Sequence, residues 1–162
     1  MKLIPLSQGR HAMVDDEDFD RVNQHRWYAA RDSDPTIRFY AIRNIRTNRG
    51  RLTQRMHHFI LGSTNRIDHE DGDGLNNQKQ NLRNATSVEN GRNMKLQIHS
   101  SPYKGVSFVP RQNQWQASGC LNKKKVHIGT YSSPVLAALA YDTFAQAFYG
   151  QFAKTNQQLG AL

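Results

Sequence analysis

A short glycine-rich acidic run, Glu70-Asp71-Gly72-Asp73-Gly74, constrains this chain more than any other stretch, because it must be a turn or loop. Asp68 and His69 stand directly before it, led in by Arg66-Ile67. At a strand end these two neighbours would diverge to opposite faces. After the run, Leu75-Asn76-Asn77 leads to Gln80-Asn81-Leu82-Arg83, and a second polar stretch follows, Ser87-Val88-Glu89-Asn90-Gly91-Arg92-Asn93. Ser87 is placed to cap a short helix that carries Asn90 on its first turns. Residues before this segment read as scaffold, and residues after it as a separate grip.

The residue types at these positions match the needs of phosphodiester hydrolysis. That reaction requires a base to activate water, a divalent cation to hold the phosphate, and stabilisation of the departing oxygen. A neutral histidine near its ordinary pKa of about 6.5 suits the first task. A carboxylate plus an amide oxygen suits magnesium, which prefers hard oxygen ligands and keeps several waters. His69, Asp68 and Asn90 supply one of each. A calcium loop starting at Asp71 fails on spacing, since its last ligand position falls on Leu82. Structural zinc fails too, because the chain has one cysteine, Cys120, far from the histidines.

The spaced set Met56-His57-His58, Ile67-Asp68-His69, Asp71-Gly72, Asn76-Asn77, Asn81-Leu82-Arg83 and Glu89-Asn90 resembles the HNH endonucleases, particularly the phage and intron-encoded homing type. The resemblance covers about residues 55–93 and implies two strands and a helix around one divalent ion, magnesium or manganese. It implies His69 as general base and Asp68 and Asn90 as metal ligands. Asn81 would brace the loop so that the base points correctly, Asn77 would support it, and His57 would be structural. It also implies products with 5′-phosphate and 3′-hydroxyl ends.

The remaining sequence bears on partners. The 162 residues carry a formal net charge of +9, so a polyanion is the expected partner and nucleic acid the first candidate. Cys120 has no partner for a disulfide within the chain, which points to a reducing, cytoplasmic setting. The start, Met1-Lys2-Leu3-Ile4-Pro5, lacks the apolar run of a signal peptide, and no stretch approaches a membrane span.

Ahead of the catalytic segment, short strands are expected at Leu3-Ile4-Pro5-Leu6 and Ala12-Met13-Val14. Asp15-Asp16-Glu17-Asp18 marks a helix start that buries Phe19 and Val22. Further strands are expected at Trp27-Tyr28-Ala29-Ala30, at Tyr40 to Ile45 and at Leu52 to Met56, with a polar loop from Arg31 to Pro35 and a turn at Asn48-Arg49-Gly50. Phe59-Ile60-Leu61 begins a short helix that ends at Gly62. Six arginines, Arg38, Arg43, Arg46, Arg49, Arg51 and Arg55, are placed to form a basic face, with Arg43 and Arg55 expected to touch DNA.

Ile98-His99-Ser100-Ser101-Pro102 breaks the pattern and sets the expected boundary between residues 1–97 and 98–162. Beyond it six basic residues face a single acid, Asp142. Three strands are expected from Gly105, Trp115 and Val126, then a helix capped by Ser133 with Pro134 at its first position. Leu136, Ala137, Ala140, Tyr141, Phe144 and Phe148 recur at helical spacing, with Tyr141, Phe144 and Phe148 expected in the core.

Tyr103-Lys104-Gly105-Val106, Trp115, Ile128-Gly129-Thr130-Tyr131, Ala137-Ala138, Ala140-Tyr141-Asp142, Gly150, Ala153 and Asn156 resemble the plant ethylene-response-factor DNA-binding domain. That resemblance implies a DNA face holding Lys104, Ser107, Arg111, Trp115, Gln116, Lys125 and His127. Ser107, Val109 and Cys120 stand where that family usually has arginines, and His127 where it has tryptophan, so base reading should differ.

The expected fold is α+β: N-terminal strands leading into a ββα-metal module, then a three-stranded antiparallel sheet packed on one helix. The expected function is a metal-dependent DNA endonuclease, tethered to a sequence-preferring DNA-binding module and of phage or mobile-element homing type. Double-stranded DNA is the partner, no membrane is involved, and the chain acts as monomer or homodimer. The alternative is a catalytically inactive DNA-binding regulator.

Overall fold

The computed structural model describes residues 1–31, 39–48, 50–93 and 101–162. The expected polar loop beyond Arg31, the arginines Arg38 and Arg49, and the break at Ile98-His99-Ser100 lie outside these residues. The chain is a mixed α and β protein with several small antiparallel sheets and four α-helices among the described residues. It divides into two compact units, Met1–Ser87 and Val88–Leu162.

In the first unit, β1 (Lys2–Pro5) pairs antiparallel with β2 (His11–Val14). A single 3-10 turn joins them, and in it Gln8 and Gly9 both take positive φ, 63° and 65°. Helix α1 (Asp16–Asn23) follows, its first turn carrying Asp16, Glu17 and Asp18 beside the positive end of the helix dipole. Val22 is fully buried, and its carbonyl accepts the Trp27 indole N–H at 2.9 Å. Strands β3 (Tyr28–Arg31), β4 (Phe39–Thr47) and β5 (Gly50–Arg55) form a sheet in that order. Helix α2 (Met56–Leu61) ends at Gly62, whose left-handed φ of 60° is the expected stop signal.

Next come β6 (Ile67–His69) and β7 (Leu82–Asn84), paired with Asp68 opposite Arg83 and His69 opposite Leu82. One core joins these elements: Ile4, Ala12, Val14, Val22, Trp27, Ala41, Met56, Ile60, Ile67 and Leu82. Each large apolar side chain fully covered there contributes about 1.5–3 kcal/mol. The strands carrying the candidate base therefore share a core with the N-terminal hairpin.

Helix α3 (Ser87–Asn93) begins at Ser87 itself, and from Val88 onward it belongs to the second unit. Composition placed the division at residue 98. The earlier break has a physical cause. The Arg92 guanidinium lies 4.5 Å from the Tyr149 ring, and the Arg92 carbonyl accepts the Lys104 ammonium at 2.7 Å.

Strands β8 (Val106–Val109), β9 (Gln114–Leu121) and β10 (Lys124–Tyr131) form a sheet with β9 central, and α4 (Pro134–Tyr149) packs on it. Ser133 caps α4 through its hydroxyl, which accepts the Val135 N–H at 3.3 Å. The approach is close: a Cβ at Gly119 would run into the Phe144 ring, and one at Gly105 into Tyr141. Small residues therefore set the buried face, with Ala137, Ala138 and Ala145 fully covered.

Two expectations fail on this helix. Leu136 is 50% exposed and Phe148 56% exposed, although both lay on the apolar stripe. With alanines against the sheet, Leu136 is turned out. Phe148 stacks on Phe144 from outside at 4.8 Å, while Tyr149 takes the buried position and its phenol oxygen accepts the Cys120 N–H at 2.8 Å. The stretch after α4 returns to the sheet: Asn156 accepts the Lys104 N–H at 2.7 Å and donates to the buried Asp142 carboxylate at 2.8 Å.

Candidate active site

Asp68 and His69 are adjacent on β6, and both are buried at 3% exposure. Strand geometry sends them to opposite faces. The Asp68 carboxylate accepts from Arg83 directly across the β6–β7 pair, at 2.9 Å from Nε and 2.8 Å from Nη2. The Glu70 carboxylate stands 3.7 Å from the same guanidinium. His69 packs edge-on against His57 with ring centroids 5.0 Å apart, and Tyr40 lies 5.6 Å from each imidazole.

Burial controls the protonation of this cluster. It pushes His69 down to about 4, against the opposing influence of Asp71, Asn77 and Asp73. Burial also takes His57 to about 2, helped by the charge states of His69, His58 and Arg55. The ordinary value near 6.5 expected for the base is therefore corrected downward. His69 is neutral throughout the physiological range, which is the form a general base needs, but it is a weaker base than a solvated imidazole.

The loop that follows is fastened from inside. Asn81 Oδ1 accepts the Asp71 N–H at 3.0 Å, and its Nδ2 donates to Asp71 Oδ1 at 3.0 Å and to the Asn76 carbonyl at 2.9 Å. The Asn81 backbone carbonyl accepts the Glu70 N–H at 2.9 Å. Asp71 also accepts from Asp73 N–H at 2.7 Å and from the Asn76 amide at 2.7 Å. The acidic run is thus a hydrogen-bonded turn. Asn77, 1% exposed, donates to the Leu75 carbonyl at 3.1 Å and sits beside the His69 ring. Gly74 is required where the loop passes strand β4, since a Cβ there would strike Tyr40.

The N-terminal elements hold the loop from outside, which local sequence pattern does not reveal. Met13 donates to the Leu75 carbonyl at 2.9 Å and accepts the Asn77 N–H at 2.8 Å. Asp15 stands at the start of α1 as expected, but its carboxylate does not cap that helix; it accepts the Lys79 N–H at 2.8 Å and the Gln78 amide at 3.2 Å. Tyr40 also escapes sequence reasoning, with no signal to find it. Arg83 stands in the spaced set without an expected role, although counting two residues on from Asn81 along the hairpin sets it opposite Asp68.

A divalent ion fits this donor set in one way. Among the described residues no three His, Cys, Asp or Glu side chains converge to hold a metal. One carboxylate with amide, water and phosphate oxygens is nevertheless the kind of shell magnesium uses. Asn90 is half-buried on α3, within the second unit. Arg83 already engages Asp68 Oδ2, so an ion at Asp68 would share that carboxylate with a guanidinium.

The expected DNA-facing residues sort into groups. Ser107 lies opposite Gln116, and Lys125 and His127 lie opposite Cys120 and Ser118. These four side chains share the sheet face away from α4, where the Gln116 amide and a His127 ring nitrogen are 2.7 Å apart. Arg111 is exposed in the β8–β9 turn. Trp115 lies on the helix side, partly buried and 4.9 Å from Phe108. The Lys104 ammonium points to the Arg92 carbonyl, and burial pushes it down to about 8. In the first unit, Arg43 donates to Gln54 at 2.8 Å and lies over Phe59 and Trp27. The Arg55 guanidinium lies 4.4 Å from the Tyr40 ring centroid, on the wall of the histidine cluster.

No family model matches the chain. It is 27% identical, over 96% of its length and 79% of the relative's, to a protein of Acanthamoeba polyphaga mimivirus described as an uncharacterized HNH endonuclease. That similarity supports the class of HNH-type nucleases. The chain is also 33% identical to protein 3.8 of Escherichia phage T7, over 54% of its own length and 73% of the phage protein. It belongs to the same family as that phage protein. Among the described residues no helix is long and apolar enough to cross a membrane.

Proposed function

We propose that this chain is a metal-dependent DNA endonuclease of the HNH type, with its second unit acting as a duplex grip. The observation that carries the reading is the buried His69, next to Asp68 on β6 with its side chain on the other face of the strand, at the head of a loop whose hydrogen bonds converge on Asn81. His69 takes a proton from water, and the resulting hydroxide attacks phosphorus in line. The bond from phosphorus to the 3′ oxygen breaks and that oxygen takes up a proton from solvent, leaving 5′-phosphate and 3′-hydroxyl ends. Asp68 and Asn90 would hold a magnesium- or manganese-class ion, which supplies stabilisation of charge on the phosphate and the departing oxygen. Asn81 keeps the loop, and with it the imidazole, in register.

Ser107, Gln116, Lys125 and His127, with Arg111 at the turn, form the grip on double-stranded DNA. Tethering raises the effective concentration of the cleavage unit on the same duplex. A monomer would nick, and a homodimer would cut both strands. A homing-type role in a phage or mobile element fits these parts.

The test is relaxation of supercoiled plasmid with magnesium and with chelator. Nicking that needs the ion and disappears in His69→Ala, with duplex binding retained, supports the reading. Undiminished nicking by that variant removes His69 as the base. A second reading, an inactive DNA-binding regulator, is favoured by one observation: Arg83 holds Asp68 while His69 is covered. It predicts duplex binding with no nicking in magnesium.

A further inference from the structure

The arginines of the first unit are not spread evenly around the sheet. Strand β3 pairs with β4 only from Phe39 to Ile42. Beyond Ile42, among the described residues, the sheet is a two-stranded ribbon of β4 and β5. In that ribbon Arg46 lies directly opposite Arg51. Directly opposed residues share one face, and like charges there destabilise the pairing. Both arginines are exposed, and no carboxylate among the described residues pairs with either.

Alternation fixes what else lies on that face. Tyr40, Ile42 and Asn44 precede Arg46 on β4, and Thr53 and Arg55 follow Arg51 on β5. The Thr53 hydroxyl donates to the Asn44 side chain at 3.2 Å. The face therefore runs from Tyr40 and Arg55, at the His69 cluster, outward to the Arg46–Arg51 pair. Arg43 lies on the reverse, over Trp27 and Phe59. A lone two-stranded ribbon is marginal in water, and opposed cations weaken it further. Such a design makes sense when a polyanion closes on it.

We propose that the β4–β5 ribbon is a duplex-docking arm that lies in the major groove of DNA, with Arg46 and Arg51 against backbone phosphates on either side. A two-stranded ribbon fits that groove, which is about 12 Å wide. About six residues of strand separate Tyr40 from Arg46, or about 20 Å at about 3.3 Å per residue. The arm thus reaches about six base pairs from the phosphate at His69, at about 3.4 Å per pair. This inference rests on DNA being the substrate, as proposed above.

The test measures binding of the full chain to a short mixed-sequence DNA duplex in chelator, across a salt series. Removing one cation that neutralises a phosphate reduces the slope of log affinity against log salt by about 0.9. The Arg46→Gln/Arg51→Gln double variant is expected to lower the slope by about 2, and Arg46→Lys/Arg51→Lys to keep it. The equal-charge control Lys2→Gln/Arg26→Gln, at exposed sites off the ribbon, is expected to leave it unchanged. The glutamine pair should also raise the melting temperature of the free protein, by relieving repulsion; should it not fold, each single glutamine variant is expected to lower the slope by about 1.

An unchanged slope in the glutamine variants overturns the proposal, as does an equal fall in the control. An equal slope change on duplex RNA overturns it too, since the deep, narrow A-form groove does not admit a ribbon. Because nothing is cleaved in chelator, these outcomes stand apart from the plasmid assay that tests the nuclease reading.

Discussion

His69 owes its neutrality to cover, and that has a measurable thermodynamic consequence. Its folded-state value of about 4 lies below the ordinary 6.5, so the unfolded chain takes up the proton first as pH falls. The stabilisation is fully present above about pH 6.5 and is lost as pH drops toward 4, by about 3 kcal/mol for this group. Urea unfolding at a series of pH values is expected to show that slope, and His69→Asn to flatten it. The acid limb of any cleavage profile should likewise fall near about pH 4–5 rather than 6.5. Arg83 offers a second test at this scale. Arg83→Leu removes the guanidinium that the buried Asp68 carboxylate faces, at a loss of about 3–5 kcal/mol. If Asp68 is a metal ligand, magnesium should stabilise this variant more than the parent protein in thermal melts. An equal effect of magnesium on both would remove Asp68 from the ligand set.

At the scale of elements, the loop after β6 and the helix α4 behave differently under substitution. Asn81→Ala deletes three side-chain hydrogen bonds and should reduce stability by about 2–4 kcal/mol, read by chemical denaturation. On α4, Phe144→Ala should remove about 3–5 kcal/mol. Phe148→Ser should shift stability by no more than about 1 kcal/mol, since the ring is mostly in solvent. Equal losses at the two positions would place Phe148 back in the core.

These contrasts mark where local pattern was informative. Hairpins, the Gly62 stop and the Ser133-Pro134 start were readable because each is settled by the chemistry of one or two residues. The buried face of α4 was misread because periodicity names a stripe but not how near the sheet comes; Ala137, Ala138 and Gly119 decide that. Asp68, His69 and Asn81 stood out by type and spacing. The neighbours that tune them did not, because Tyr40, Met13 and Asp15 arrive from distant segments.

For the whole molecule, the division at Ser87/Val88 matters more than the change in composition near residue 98. Helix α3, which carries Asn90, is fastened through Arg92 to Lys104 and Tyr149. A chain ending at residue 97 should keep the first unit's core, visible as a cooperative melt, yet lose helical signal from α3 and lose nicking. Full nicking by that fragment would show that α3 needs no help from the residues after it. The same fastening bears on chimaeras. Exchanging the rear portion for another DNA reader at a seam near residue 98 would discard the lysine clamp on α3 while keeping the helix. A seam ahead of Ser87 moves helix and clamp together but takes Asn90 with them, so a chimaera that keeps the proposed ligand must inherit α3 and its clamp along with the first unit.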